Sequence, residues 1–347
     1  MAYPLIIIGA GASHDYIHDN QEDPLVSEYK PPLADNLFNR YFNDYINEFP
    51  EMGQLPGSII NAVKNKQGLE QFLSGIEKRQ SNNPDRRKEL IAFRFYLQRL
   101  FKVISDKYGG NSLSNFHGLI GEIKDHFAQA CIVNFNYDLL LEQALGIGES
   151  IDSYVEGQIK IIKVHGACDW IHPFRSPYRK SDKDIRKSYL YFLENTDLFY
   201  KIDSNPNKAF YVRNNLFNTN YMEKINDGTI YFLYPAILLP LPDKESFVCP
   251  EKHELELEKA LKLVDRILVI GWKAQDVHLI KIMEEEIEQP VFITIVAGKK
   301  DEIKEIRNRF NGLNVIKENS CVGFSNFVGS EVCDEFLNDE YTPKSLT

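Results

Sequence analysis

Short runs of apolar residues recur along this chain, and they predict the strands of a sheet. The first run, residues 5–8, reads LIII, and most of the others are similarly continuous and rich in β-branched residues. Continuous apolar runs are typical of strands that are buried on both faces, as in parallel sheets. The other predicted strands are residues 131–135, 159–164, 229–233, 266–270, 291–297 and 313–316.

Amphipathic helical patterns lie between several of these strands. Apolar residues recur at helical spacing in residues 257–264, 277–287 and 303–310. Strands that alternate with helices indicate a parallel sheet covered by helices on its faces. The sequence therefore predicts an α/β fold with a Rossmann-like parallel sheet wrapped by helices.

Two segments interrupt this alternation. Residues 34–127 contain no convincing strand but carry three helical stripes of apolar residues, which predict a helical module inserted after the first strand. Residues 173–227 are rich in Tyr, Phe, Asn and Lys and have weak periodicity, which predicts mixed or loop structure. The stripes cover residues 37–46, 90–104 and 116–127. The predicted organisation is a Rossmann-type domain from residues 1–33 and 128–338, insertions at 34–127 and 173–227, and a tail at 339–347.

Composition narrows the functional classes. The 347 residues include 50 acidic and 40 basic residues, a formal net charge of −10, which disfavours nonspecific nucleic-acid binding. The five cysteines are widely spaced and form no CxxC, which disfavours a disulfide framework and a tetracysteine zinc site. The apolar runs are too short for a membrane span, and the first lacks the basic flank of a signal peptide. We therefore expect a cytoplasmic protein that binds no metal, no membrane and no nucleic acid.

The first strand leads directly into a glycine loop. Its residues are Gly9, Ala10, Gly11, Ala12 and Ser13. Glycine allows a sharp turn and a close approach of the backbone to a ligand, and a helix N-terminus that follows favours anions. His14 stands where a dinucleotide-binding GxGxxG loop has its third glycine. The loop predicts a nucleotide pyrophosphate site, and a tight turn without a ligand is the alternative.

Polar residues and a further glycine follow three more predicted strands. Asn136 and Asp138 follow the second strand, His165 the third, and Gly271 and Asp276 the strand at 266–270. Ligands of open parallel sheets bind beyond the carboxyl ends of the strands, so one nucleotide pocket accounts for all of these positions together. Taken singly, each aspartate could be a helix cap and the histidine could be structural.

These segments together resemble the sirtuin-like superfamily, and more closely its prokaryotic branch of NAD-cleaving antiphage defence proteins. GAGAS at 9–13 is similar to the family's GAGxS loop, and NFNYD at 134–138 to its TTNYD segment. KVHGA at 163–167 resembles the segment with the catalytic histidine, and VIGWKAQD at 269–276 resembles the later IGxSxxD turn. KPPL at 30–33 is similar to the proline-containing loop after the first helix.

The departures from the deacylating sirtuins point in one direction. Those enzymes carry a four-cysteine zinc module between these motifs, whereas only Cys168 and Cys249 fall in that interval here. The prokaryotic NAD-cleaving proteins also lack the module. Phe135 replaces a polar residue, and Trp272 and Lys273 replace the usual Tyr/Ser pair, which affects the expected details of cofactor contact.

The resemblance implies an NAD+ glycohydrolase that cleaves the nicotinamide–ribosyl bond and releases nicotinamide and ADP-ribose. It implies that the glycine loop holds the pyrophosphate and that Asp138, with Asn136, holds the carboxamide or the ribose. Asn136 would also orient the attacking water, and His165 would act as the base. Gly271 and Asp276 are expected to add to the NAD-binding site, with no metal.

The same resemblance implies a role in antiphage defence by NAD depletion, in a homo-oligomer or with a HerA-type ATPase partner. The alternatives are a protein deacylase, a non-catalytic sensor of NAD or ADP-ribose, and a structural subunit of a larger complex. Cyclisation against hydrolysis, and NAD against NADP, stay open from the sequence. His14 and His172 are weaker candidates for the site. The other histidines, His18, His117, His126, His253 and His278, are expected on the surface or in helices.

Overall fold

The structure is a computed structural model. It describes residues 2–16, 30–65, 69, 72–73, 75, 83–110, 112–175, 188–197, 212–213, 222–224, 230–239 and 247–338. His18, the predicted tail at 339–347 and most of the predicted insertion at 173–227 lie outside these residues.

Strands and helices alternate in the last third of the chain, whereas helical elements follow the first strand up to residue 126. The strands are β1 (Pro4–Ile8), β2 (Ala130–Asn134), β3 (Ile159–Lys163), β4 (Gly166–Arg175), β5 (Val212–Arg213), β6 (Met222–Lys224), β7 (Ile230–Ile237), β8 (Arg266–Ile270), β9 (Val291–Ala297) and β10 (Val315–Val322). The helices are α1 (Ala10–His14), α2 (Asn43–Asn47), α3 (Leu55–Lys64), α4 (Pro84–Tyr108), α5 (Asn115–His126), α6 (Leu140–Leu145), α7 (Ser188–Glu194), α8 (Glu251–Leu261), α9 (Val277–Glu286), α10 (Lys300–Arg309), α11 (Phe324–Phe327) and α12 (Glu331–Asn338).

A six-stranded parallel sheet is the centre of the molecule. Its strand order is β10-β9-β8-β1-β2-β3, and every neighbouring pair is parallel. β1 lies in the middle, with Leu5 opposite Cys131 on one side and opposite Ile267 on the other. All five residues of β1 are buried, as expected for a strand with helices on both faces. The predicted α/β fold with a Rossmann-like sheet is confirmed.

A second, four-stranded sheet departs from the sequence prediction. Its order is β5-β4-β7-β6, and its pairs are antiparallel. The apolar run predicted as a strand at 229–233 is therefore part of β7 and not of the parallel sheet. Its partner β4 was not predicted, because its strand pairing depends on β7, which is far away in the chain.

Strand β10 begins later and extends further than the predicted strand at 313–316. It covers Val315–Val322, with a register irregularity between Val315 and Lys317. β10 pairs only with β9, at the edge of the sheet, and none of its residues is fully buried. An edge strand can carry polar residues, so the apolar pattern marked only its beginning.

The segment at 34–127 is helical in its described residues, but its first helix differs from the prediction. The stripe at 37–46 predicted one helix, whereas the structure has 3₁₀ turns at Ala34–Asn36 and Arg40–Phe42 followed by α2. The Asn39 side chain accepts a hydrogen bond from the Tyr41 backbone amide and starts a new turn there. The other two stripes match α4 and α5, which are capped by Asn83 and Ser114.

Helix α4 joins this segment to the second sheet. It packs against β4, β7 and α7, so its apolar residues belong to the same core as the strands. Phe38 stacks on Tyr96 of α4 with ring centroids 5.3 Å apart. None of the helices in the described part of the chain is long and apolar enough to cross a membrane.

Candidate active site

The two glycine loops at the carboxyl ends of β1 and β8 pack directly against each other. The Gly9 amide donates to the Ile270 carbonyl and the Gly11 amide to the Gly271 carbonyl, both over 3.0 Å. A Cβ on Gly9 would lie 2.6 Å from the Gly271 oxygen, and one on Gly11 would lie 2.8 Å from the Gly271 Cα. Gly271 itself has φ +60°. Contact between the two loops, without any ligand, therefore already requires glycine at these positions.

This contact limits which parts of the first loop can meet a ligand. The Gly9 and Gly11 amides already bond to protein carbonyls, and the Ala12 amide donates to the Gly9 carbonyl over 2.9 Å. Ala12 and Ser13 are buried, whereas Ala10 is exposed at the start of α1. The accessible part of the loop is therefore around Ala10.

Asn136 connects the end of β2 to the first glycine loop. Its amide nitrogen donates to the Gly9 carbonyl over 3.1 Å and to the Ser13 hydroxyl over 2.8 Å. Its backbone amide donates to the Asn134 side chain over 2.9 Å, which fixes the turn after β2. Asp138 accepts a hydrogen bond from the Ser13 side chain. Two residues of the glycine loop, Gly9 and Ser13, and two residues of the distant segment after β2, Asn136 and Asp138, are thus joined in one contiguous hydrogen-bonded group.

A buried ionic cluster lies next to this group. Lys163, at the end of β3, is fully buried and pairs with Glu142 of α6 at 2.8 Å, and it donates to the Asp138 carbonyl over 2.6 Å. Asn134 donates to Glu142 over 3.5 Å. Burial raises the pKa of Asp138 and of Glu142, while the Lys163 charge lowers both. The cluster places two carboxyl groups and one ammonium group in the buried interior.

Asp138 also bonds to the helix that follows it. The Leu140 amide donates to its Oδ1 over 3.2 Å at the start of α6. The capping role that the sequence left open is therefore present, and the same carboxyl group also faces Ser13.

His165 lies in the connection between β3 and β4. Its Nε2 is 3.2 Å from Asp276 Oδ2, and its ring meets Phe135 edge to face with centroids 4.9 Å apart at 88°. Phe135 stacks on Trp272 at 4.9 Å and 19°. The next residue, Gly166, has φ +74°, and a Cβ there would overlap the Ala236 carbonyl of β7. The histidine is thus placed at the joint between the two sheets.

The predicted site residues are brought into three directly contacting sets. These are Gly9 and Gly11 with Gly271, then Gly9 and Ser13 with Asn136 and Asp138, and His165 with Asp276. Phe135 links the last two sets, because it directly precedes Asn136 in the chain and its ring contacts His165. All three sets lie at the carboxyl-end edge of the parallel sheet.

Three histidines have surroundings of their own. His14 Nδ1 lies 2.9 Å from the Pro31 carbonyl. His172 is buried beside Tyr234 in the second sheet, where burial lowers its pKa to about 3. His253, expected on the surface or in a helix, is in α8 and is fully buried against Tyr154 and Trp170.

Sequence reasoning missed the roles of Lys163 and Glu142. Lys163 is the first letter of the KVHGA segment, and Glu142 follows Asp138 by one helical turn. The strand reads IKIIK, so no local signal distinguishes the buried Lys163 from the partly exposed Lys160. Within the described residues, no group of three or more His, Cys, Asp or Glu side chains is arranged to hold a metal ion.

Comparisons with known proteins return Sir2 enzymes among solved structures. One Sir2 enzyme shares 14% identity over 96% of this chain and 91% of its own, with a TM-score of 0.41. A Sir2 homolog in complex with NAD shares 13% over 96% and 88%, also with a TM-score of 0.41. Sir2Af2 bound to a myristoylated histone peptide shares 13% over 96% and 89%, with a TM-score of 0.36. No protein-family model and no curated protein matches the chain.

Proposed function

We propose that this protein is an NAD+ glycohydrolase that cleaves the bond between nicotinamide and ribose. The observation that carries the proposal is the hydrogen-bonded group around Asn136, whose amide bonds to both Gly9 and Ser13. Phe135, the residue before it, contacts the ring of His165. The glycine loop, the amide and the histidine of the NAD-cleaving motifs are therefore neighbours at one sheet edge, as a shared substrate site requires.

The chemistry suits this set of residues. Nicotinamide leaves as a neutral group, so the bond breaks without a strong general acid, and positive charge develops on the ribose. Buried dipoles and carboxylates that face such a cation lower the barrier, because they are oriented before the reaction. Asn136 and Asp138, which are both buried, are the polar groups that we propose for this role. The exposed tip of the glycine loop, at Ala10, is the part that would meet the pyrophosphate.

His165 is the proposed base. It would accept a proton from the attacking water or from a ribose hydroxyl, and Asn136 would orient that water. General-base assistance typically contributes about 10²–10⁴-fold to the rate. The imidazole is largely buried and contacts Asp276 and Phe135, so its orientation is defined.

The direct test is incubation of the purified protein with NAD+ followed by chromatographic separation of the products. We expect nicotinamide and free ADP-ribose, and a loss of turnover of about 10²-fold or more in His165→Ala and in Asn136→Ala. His126→Ala, on the exposed side of α5, is the matched histidine control and should keep the parental rate. Parental turnover in His165→Ala would exclude the assignment of the base.

A parallel reaction with an acyl-lysine peptide separates hydrolase from deacylase. Formation of O-acyl-ADP-ribose identifies a deacylase, whereas ADP-ribose that is independent of the peptide identifies a glycohydrolase. Binding of NAD+ without release of nicotinamide would instead identify a sensor. The same assay with NADP+ measures whether the enzyme accepts a 2′-phosphate on the adenosine ribose.

We also propose that the activity serves antiphage defence in the cytoplasm by depletion of NAD+. An unrestrained NAD+ hydrolase would harm its own cell, so assembly into a homo-oligomer, or with a HerA-type ATPase, would provide the control. Light scattering of the purified protein, alone and with a candidate ATPase, combined with the NAD+ assay, tests this part. Turnover that does not depend on the state of assembly would contradict it.

A further inference from the structure

The carboxylate of Asp276 is shared between two partners. Its Oδ1 accepts the Leu279 amide over 2.8 Å and so caps α9, and its Oδ2 lies 3.2 Å from His165 Nε2. The two side chains are only 12% and 13% exposed. The sequence suggested either a helix cap or an NAD contact for this residue, and the cap is present together with an unforeseen contact to the histidine.

The turn that carries Asp276 holds it in a defined position. Gly271 has φ +60° and Ala274 has φ +52°, so two residues of this short turn are in the left-handed region. A residue with a Cβ is disfavoured in left-handed backbone conformations, so the conformation of Ala274 is unusual. Its side chain is buried. Such a conformation persists where the surrounding structure fixes it. At the start of the same turn, Gly271 packs directly against the first glycine loop.

The opposite contacts of His165 are fixed as well. The His165 carbonyl accepts a hydrogen bond from the Leu238 amide over 3.0 Å. The imidazole and the Phe135 ring form an edge-to-face pair with an interplanar angle of 88°. Phe135 is itself stacked on Trp272, two residues before Ala274. The turn after β8 therefore contacts the histidine directly through Asp276 and indirectly through Trp272 and Phe135.

We infer that Asp276 is a positioning residue that orients the imidazole of His165 and fixes its tautomer. A hydrogen bond from Nε2–H to the carboxylate leaves the lone pair of the neutral ring on Nδ1, so Nδ1 is the basic nitrogen. The same carboxylate stabilises the imidazolium that forms once the proton is taken up. This inference rests on the proposed function for its catalytic consequence, but the Asp276–His165 pair can be tested without NAD+.

Asp276→Asn is the decisive variant. Asparagine caps helices about as well as aspartate and has nearly the same shape, so α9 keeps its cap while the charge is lost. Asp276→Ser also keeps a cap but is too short to reach the ring, which makes the test independent of how one variant folds. Asn83→Ala removes the cap of α4 without touching the site and is the control for loss of a cap alone.

The readout of the pair is NMR of protein with ¹⁵N-labelled histidine, with His165 assigned by the signals lost in His165→Gln. We expect a low-field, slowly exchanging Nε2–H signal in the parent protein. In Asp276→Asn and Asp276→Ser it should move to higher field and exchange faster, while Asn83→Ala leaves it in place. In the NAD+ assay, both Asp276 variants should lose about ten- to a hundredfold in kcat, with KM changed by no more than about twofold.

Three outcomes would overturn the inference or its premise, and they can be told apart. An unchanged His165 spectrum in both Asp276 variants would show that the carboxylate does not orient the ring. A raised KM with unchanged kcat would show that Asp276 contacts NAD+ instead. A parent protein with the expected spectrum but no NAD+ turnover would defeat the proposed function and leave the Asp276–His165 pair supported.

Discussion

The two sheets of this protein are stabilised by different side chains. The parallel sheet is filled by aliphatic residues, and Leu5, Ile6, Ile132 and Val269 are all fully buried in it. The antiparallel sheet packs with α4 and α7 through aromatic rings, and Phe192 alone contacts five of them. Neighbouring parallel strands end at the same edge, whereas antiparallel strands end alternately at opposite edges. Only the first arrangement gathers the ends of successive strands in one place.

The polar groups follow the same division. In the parallel sheet they lie just beyond the strands, at Asn136, Asp138 and His165, where side chains from distant segments meet. Near the antiparallel sheet they lie within the packed layer, where Arg94 donates to the Tyr234 hydroxyl over 2.9 Å and His172 is buried. The comparison suggests that the first region carries the chemistry and the second supports it, and the following experiments test that division.

The largest effect is expected from Lys163→Met, in the parallel-sheet region. Among the described residues, Lys163 supplies the positive charge next to Asp138 and Glu142, and all three side chains are buried. Removal of one partner leaves buried carboxyl groups without their counter-charge, which typically costs about 3–5 kcal/mol of unfolding free energy. Chemical denaturation at pH 7 measures this loss.

The pH dependence of the same variant sharpens the test. Burial already raises the pKa of both acids, and loss of Lys163 raises it further. A group with a raised folded-state pKa binds more protons when folded, so the deficit of the variant should shrink as the pH falls from 7 towards 5. Lys160→Met, on the same strand but in a partly exposed pair with Glu256, is the control, with an expected cost below about 1 kcal/mol. Equal losses in the two variants would contradict a special role of the buried cluster.

The joint between the two sheets is tested next by Gly166→Ala. Gly166 combines φ +74° with a close approach to the Ala236 carbonyl, so a methyl group adds overlap to backbone strain. Overpacking typically costs 1–3 kcal/mol and the left-handed conformation about 1–2 more, which gives an expected loss of about 3 kcal/mol or more. Gly157→Ala has φ +84° but open space around it, and should lose only the strain. Thermal unfolding of the two variants separates the clash from the conformation.

Sequence and structure agree best where the parallel sheet decides the arrangement. The apolar runs were sufficient to predict β1, β2 and β8, and the edge rule for parallel sheets was sufficient to expect Asn136 near the glycine loop. The pairing of Lys163 with Glu142 could not be predicted in the same way. Lys160 and Lys163 look alike in the sequence, yet one lies in a partly exposed pair and the other is fully buried.

The antiparallel region was harder to predict for a physical reason. Strand β4 pairs with β7 across a long separation in the chain, so no local pattern specifies it. The Gly166 turn, with φ +74°, allows β4 to leave the direction of β3 at once. The prediction of one helix at 37–46 was wrong for a different reason. The apolar spacing alone predicts a single helix, but the Asn39 cap divides the segment.

A smaller effect, and one with a defined sign, is expected from His253 in α8. Burial lowers its pKa to about 4, against 6.5 in an unfolded chain. The unfolded state therefore binds more protons between pH 6.5 and 4, so this histidine costs stability as the pH falls through that window. At 1.36 kcal/mol per pKa unit, the cost at pH 4 is about 3 kcal/mol. In His253→Gln the side-chain amide can still donate to the Ile151 carbonyl. The unfolding free energy of this variant should fall less than that of the parent as the pH is lowered from 6.5 to 4. Parallel curves for parent and variant would contradict the prediction.

The smallest effect is expected from Phe192→Leu, in the aromatic layer of the second region. Phe192 is fully buried among Phe95, Phe174, Phe232 and Tyr234. Leucine keeps most of the buried apolar area and still contacts the same rings, so only part of the edge-to-face preference of about 0.5–1.5 kcal/mol per pair is lost, and we expect a loss of about 1–2 kcal/mol. Ile132→Val, in β2 of the parallel sheet, removes one buried methyl group and should cost a similar 0.5–1.5 kcal/mol. NAD+ turnover of the folded Phe192→Leu protein should equal that of the parent, since the ring contacts described for Phe192 lie in the antiparallel region. A fall in turnover at matched stability would show that the antiparallel region shapes the site as well as supporting it.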